Sequence, residues 1–155
     1  MDCASDNGSN ARGQSGSVRA GLWFEPGLRF KCTQCGACCT GAPGFVWVGE
    51  QELRRIAEFL GLSRQEVMKR YVRRIRTRLS LRELPDGDCV FLERPSMRCG
   101  IYPVRPVQCR TWPFWRSNIR TPARWAATCA VCPGAGTGPL VPAEEIVRRA
   151  GMRCE

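Results

Sequence analysis

"CTQCGACC", residues 32–39, places four thiols in eight residues, two of them adjacent. Three kinds of site explain such a run: a disulfide scaffold, a zinc site or an iron–sulfur cluster. The rest of the chain bears on the choice. It has 155 residues, enough for one domain with one modest core. It contains 11 cysteines and no histidine. A transition-metal site built from this inventory rests on thiolate, with carboxylate as the only other strong donor, which favours zinc or iron–sulfur over an open His-rich catalytic metal.

Redox compartment separates bridges from metals. The N-terminal "MDCASDNGSNARGQSGSVRAG" has no apolar core of the kind a secretory signal carries, and no run of the chain is long and apolar enough to span a bilayer. The expectation is a cytoplasmic protein with no membrane partner, where disulfides are rare. The odd cysteine count also leaves one thiol over from any complete set of bridges.

Residues 1–20 are rich in Gly, Ser, Asn and Asp and read as a disordered tail. Residues 21–155 then form one cysteine-cluster domain, with Trp23, Phe24, Leu28 and Phe30 covering the thiols rather than making a separate element. Phe45 to Val48 suggest a short extended entry segment. In "EQELRRIAEFLGL", Leu53, Ile56, Ala57 and Leu60 share one helical face and Gly61 stands as the stop. Ser63 and Glu66 form a capping box, and Val67, Met68, Tyr71, Val72 and Ile75 predict a second helix from about Arg64 to about Ile75. Alternation over Thr77 to Leu84 predicts a strand, the "PDGD" turn follows, and "CVFLE" is expected to pair back on it. "VPAEEIVRRAGMRCE" predicts a C-terminal helix with Pro142 near its first turn. The fold class is therefore α+β: a small, irregular, metal-stapled domain with two adjacent helices, a short antiparallel hairpin and a C-terminal helix.

The spacing Cys32-x-x-Cys35-x-x-Cys38 matches the first three positions of the bacterial ferredoxin run, and Gly36 suits a tight wrap. The match stops at Cys39, next to Cys38 rather than four residues on. Successive side chains leave the backbone in different directions, so Cys38 and Cys39 are expected to serve different centres. Cys89, Cys99, Cys109 and Cys132 each lie beside a turn or a proline. With the first four they make eight thiols, enough for two four-sulfur sites. Cys129 is a possible substitute through its C-x-x-C pairing with Cys132.

"FKCTQCGACC", "CVFLE", "RCGIYPVRPVQCRTWPFW" and "CPGAGTG", in this order, resemble the YkgJ-type cysteine-cluster proteins, the CxxCxxCC family of zinc- or iron-chelating domains. The resemblance covers about Phe30 to Ala150. It implies a ligand set of Cys32, Cys35, Cys38, Cys39, Cys89, Cys99, Cys109 and Cys132, and leaves Cys3, Cys129 and Cys154 outside.

The expected function is metal chelation by these eight thiolates, with zinc and iron–sulfur both open as the cofactor. Closed zinc coordination would be structural, whereas iron–sulfur would permit a redox or accessory role. Arg105 and Arg110 flank Cys109 and could donate to sulfur or hold an anion. Trp112, Phe114 and Trp115 suit a covering or core role better than base stacking. Without histidine no Ser-His-Asp or Cys-His pair can form, no acidic pair stands out, and no catalytic residue is assigned. Whether the chain is an enzyme, and which protein it partners, stay open. The net charge of +10 comes almost wholly from arginine. It supports an alternative, a zinc-stabilised basic module that contacts nucleic acid through Arg70 to Arg78.

Overall fold

In the computed structural model, which describes residues 21–41 and 43–152, the chain runs β1 (Leu28–Phe30), α1 (Glu50–Leu60), α2 (Arg64–Tyr71), β2 (Val72–Ile75), β3 (Arg78–Leu81), β4 (Leu92–Glu93), β5 (Arg98–Cys99), α3 (Val107–Thr111), α4 (Arg116–Ile119), α5 (Pro122–Val131), β6 (Ala135–Val141) and α6 (Ala143–Gly151). Short 3-10 turns occupy Ala37–Cys39 and Tyr102–Val104. The strands form two-stranded antiparallel sheets, β1–β6, β2–β3 and β4–β5, so the class is α+β as expected. The expected tail over 1–20, with Cys3, lies outside the described residues, as does Cys154. No helix among the described residues is long and apolar enough to cross a membrane.

The chain divides into two compact units, one made of residues 21–33 with Pro113–Gly151, the other of Gln34–Trp112 with residue 152. In the second unit, Leu53, Ile56 and Ala57 of α1 are buried as their spacing predicts, and Gly61 ends the helix in the left-handed region at φ 64°. Ser63 and Glu66 cap α2 reciprocally: Ser63 N–H donates to Glu66 Oε2 at 2.9 Å, and Glu66 N–H donates to Ser63 Oγ at 3.2 Å. These helices pack with Val48, Val67, Val72, Leu81, Phe91 and Ile101 into one core. Full burial of a side chain such as Leu53 or Ile56 contributes about 1.5–3 kcal/mol.

The second helix is shorter than its apolar stripe suggests. It stops at Tyr71, and Val72 turns extended at φ −120°, ψ 142°. Val72–Ile75 pairs instead with Arg78–Leu81, so the expected partner of this strand, "CVFLE", meets it only through the single bridge Glu83↔Cys89. Val72 and Ile75 are β-branched, and Arg76 takes the left-handed turn between the strands at φ 53°. The hairpin buries Val72 opposite Leu81, an option that a helical count of the same residues does not reveal. Phe45 to Val48 runs alongside β3, with Val48 N–H donating to Leu79 O (3.0 Å) and Leu81 N–H to Val46 O (2.9 Å). Gln108 of α3 fastens the other edge of this segment, donating to Phe45 O at 2.7 Å and accepting from Trp47 N–H at 3.1 Å.

In the first unit, Leu28 and Phe30 do form a separate element, correcting their expected role as a cover. They belong to β1, paired with β6 in the register Leu28↔Val141 and Phe30↔Ala135. Gly134 and Gly138 permit this closeness, because a Cβ at either would collide with Lys31. Phe114 is fully buried, edge-on to Phe30 at 5.6 Å and stacked on Trp125 at 5.9 Å. It is a core residue, as the sequence suggests.

Candidate metal centre

Gly36 sets the geometry of the thiol run. At φ 75° it occupies the left-handed region, and a side chain there would collide with Met97 O and press on Leu92. Glycine therefore lets the run lie directly on the β4–β5 hairpin, which carries Cys99. The 3-10 turn that follows is closed by Cys39 N–H donating to Gly36 O at 2.7 Å and by Thr40 Oγ1 donating to Ala37 O at 3.2 Å. On this tight turn, adjacent side chains converge: Cys38 Sγ and Cys39 Sγ are 4.0 Å apart. The divergence of an extended backbone, which the expectation of different centres assumed, is not what this turn shows.

Cys39 is the hub. Its thiol lies 4.0 Å from that of Cys38, and its interactions with Cys38, Cys89 and Cys99, with burial, raise its pKa. The partners move the other way. The bond from Cys39 is the main cause that brings Cys38 down to about 7, against burial and with help from the Arg105 charge. Cys99 falls to about 7 and Cys89 is lowered too, each through Cys39 first and then, against burial, through a backbone N–H two residues on, Ile101 for Cys99 and Phe91 for Cys89. The segments Cys89-Val90-Phe91 and Cys99-Gly100-Ile101 thus repeat one device, a turn that aims an amide at the preceding sulfur. Arg105 is stacked 3.5 Å from the Tyr102 ring centroid, and its Nε donates to Tyr102 O at 2.9 Å, which holds its charge beside these thiols.

Cys109 sits on α3, whose start is fixed by Glu52: Oε1 accepts from Val107 N–H at 2.6 Å while Oε2 accepts from Gly49 N–H at 2.9 Å. Burial raises the Cys109 thiol, and the charges of Cys89, Cys38 and Cys99 raise it further, so it adjoins the same cluster. Cys35 is exposed in the loop before Gly36. Cys32 and Cys132 belong to the first unit, where Lys31 N–H donates to Gly134 O at 3.1 Å and lays the chain entering Cys32 beside the Cys132–Gly134 turn. Cys132 is buried at the end of α5, and Cys129, one turn earlier, is half-buried.

The structure thus brings Cys38, Cys39, Cys89 and Cys99 together, with Cys109 adjoining. Among the described residues no three Cys, Asp or Glu side chains are already disposed as a ready-made ion cage. The donor chemistry suits a thiophilic ion. Two thiolates on one tetrahedral metal with bonds near 2.3 Å sit about 3.8 Å apart, close to the 4.0 Å between Cys38 and Cys39. Sequence reasoning missed the amides of Phe91 and Ile101 as sulfur donors. The signal available was the repeated placement of a cysteine at a turn.

The family profile described as "CxxCxxCC: Putative zinc- or iron-chelating domain" matches residues 31–133. The chain belongs to the CxxCxxCC family. This CxxCxxCC domain includes both thiol segments of the cluster as well as Cys109 and Cys132. A protein of Methanocaldococcus jannaschii, named "Uncharacterized protein MJ0661", is 38% identical over 88 residues, covering 57% of this chain and 46% of its own length. The chain therefore matches a little under half of that relative. No solved structure matches the chain significantly.

Proposed function

We propose that this CxxCxxCC protein chelates zinc or iron through thiolates, in a site centred on Cys38, Cys39, Cys89 and Cys99 with Cys109 beside it. The 4.0 Å approach of the Cys38 and Cys39 sulfurs, on a turn whose Cys39 carbonyl accepts from Cys89 N–H at 2.8 Å, carries this reading. Four sulfurs do not gather in this way for packing alone, since thiols are weak donors and burying several ionisable ones together is unfavourable unless a cation neutralises them. Cys32, Cys35 and Cys132 complete the proposed set of eight through the order of the family motifs. Thiolate donors need a reducing compartment, which the proposed cytoplasmic location supplies.

A bound ion would neutralise the sulfurs and hold the Gly36 run, the β4–β5 hairpin and α3 together. With zinc the closed thiolate shell is structural and leaves no open position for water. With iron–sulfur the same ligands would serve a redox or accessory role. Elemental analysis and visible absorption of protein prepared without oxygen test the proposal. Stoichiometric zinc without colour, or iron with visible absorption, is the expected result. Cys39→Ser should lose the metal, while Cys129→Ser, outside the ligand set, should keep it. Well-folded protein prepared in this way and free of both metals overturns the proposal.

A further inference from the structure

The segment Phe45 to Val48, with β3 and β2 beside it, has two different faces. Val48, Val72 and Leu81 point into the core of their unit. Trp47 lies opposite Ser80, and Arg73 lies opposite Ser80 from the other side, so Trp47 and Arg73 share the outer face. Phe45, two residues before Trp47, joins them.

On that face the side chains stack in a column. Arg73 Cζ lies 5.3 Å from the Phe45 centroid, Phe45 and Trp47 stack at 4.9 Å with 19° between planes, and Arg78 Cζ lies 4.2 Å from the Trp47 ring. Arg73 is the anchored end, with Nη2 donating to Glu83 at 2.6 Å and to Gly44 O at 2.7 Å. Arg78 is the exposed end, and Phe45 is 46% exposed. The stretch from Lys69 to Arg82 carries seven cations and no carboxylate. Arg74, Arg76, Arg78 and Arg82 are all exposed, and Arg78, two residues before Ser80 in β3, alternates onto the column's own face.

We propose that this face binds single-stranded nucleic acid, an unpaired base stacking on the Arg78 guanidinium to extend the column while Arg76 and Arg82 contact phosphates. Charge complementarity requires a polyanion, and the column selects among polyanions. A guanidinium 4.2 Å over an indole is a platform for a planar ring, which a base supplies and a lipid headgroup or an acidic side chain does not. A duplex keeps its bases stacked inside and cannot use the platform. The proposal does not depend on the metal site, which uses other residues.

The test is fluorescence-anisotropy titration of the full chain, metal included, with labelled single-stranded oligouridine and oligothymidine, a duplex of the same length, and vesicles of phosphatidylserine and phosphatidylcholine as competitor. Expected is saturable binding to a single strand, RNA or DNA, tighter than to the duplex, not displaced by vesicles, and weakening with salt. Arg76→Ala with Arg82→Ala should lower the slope of log affinity against log salt by about 1.4, at about 0.7 per phosphate contact on single strands. Arg78→Lys keeps the charge and removes the plane, so it should weaken binding about 5- to 150-fold, as loss of one stacked base does, with little change of slope. These sites are exposed, so circular dichroism should match the parent. No binding at low salt, equal affinity for the duplex, displacement by vesicles, or Arg78→Lys binding like the parent would each overturn the proposal.

Discussion

The backbone N–H of Cys89 donates to the carbonyl of Cys39 at 2.8 Å. This bond fastens the end of the local thiol run to the start of the second thiol segment, so the main chain brings the two cysteines side by side. The Cys39–Cys89–Cys99 arrangement is therefore pre-organised, and substitutions of the supporting backbone should be felt at the sulfurs.

Gly36→Ala tests this support. The left-handed φ and the collision with Met97 O should together cost about 1–3 kcal/mol. They should also displace Cys38 and Cys39 from Cys99, lowering metal content in parallel. Gly41, which is exposed with open space at its Cβ position, is the control: at φ 106° its alanine variant carries backbone strain without the collision, so it should keep its metal. Urea unfolding with elemental analysis of both variants decides the matter.

Removal of the metal should lower thermal stability. An ion present at about a thousand times its Kd stabilises by about 4 kcal/mol, and each kcal/mol shifts Tm by about 2–4 °C for a chain of this size. Exhaustive chelation under reducing conditions should therefore lower Tm by roughly 10 °C, with recovery on adding back the ion. Calorimetry showing the same Tm with and without metal would count against a stapling role.

In the metal-free protein the thiols should alkylate in a definite order. Cys38 and Cys99 are lowered to about 7, so each is about half thiolate at pH 7, whereas burial holds Cys109 protonated to well above the ordinary thiol value of 9.0. Alkylation of Cys38 and Cys99 should rise between pH 6 and 8 and level off, while Cys109 stays unmodified across that range. Arg105→Ala removes a charge that lowers Cys38 and Cys99, and should move their midpoints upward. Mass spectrometry of iodoacetamide-treated protein reads these rates site by site.

The Arg73–Glu83 pair should be coupled. Arg73 Nη2 and Glu83 Oε2 are 2.6 Å apart with both side chains largely shielded, Glu83 also accepts from Gly44 N–H at 2.7 Å, and Arg73 Nε is buried with no hydrogen-bond partner among the described residues. Either Arg73→Met or Glu83→Gln leaves the other group shielded and unpaired, so the double variant should lose less than the two singles together, by about 0.5–3 kcal/mol. Chemical unfolding of the four proteins measures the difference, and strict additivity would show that the pair is not coupled.

Local chemistry was legible in the sequence wherever a residue type has few alternatives. Gly61 ended α1, Ser63 and Glu66 capped α2, and the "PDGD" turn formed with Gly87 at φ 89°. Helix α5 was missed although Thr121 and Pro122 provide its cap and first-turn proline, with Thr121 Oγ1 accepting from Arg124 N–H at 3.3 Å.

The sequence by itself determined that the chain is α+β, that its donors are thiols without imidazole, and that seven cations lie together between Lys69 and Arg82. Those properties follow from residue type and short-range spacing. Tertiary structure alone decided that Val72–Ile75 is a strand, because burial opposite Leu81 outweighs a helical repeat only once the partner strand is in place. It alone decided that Cys38 and Cys39 face the same way, because the convergence of adjacent side chains depends on a 3-10 turn that Gly36 allows and the β4–β5 hairpin braces.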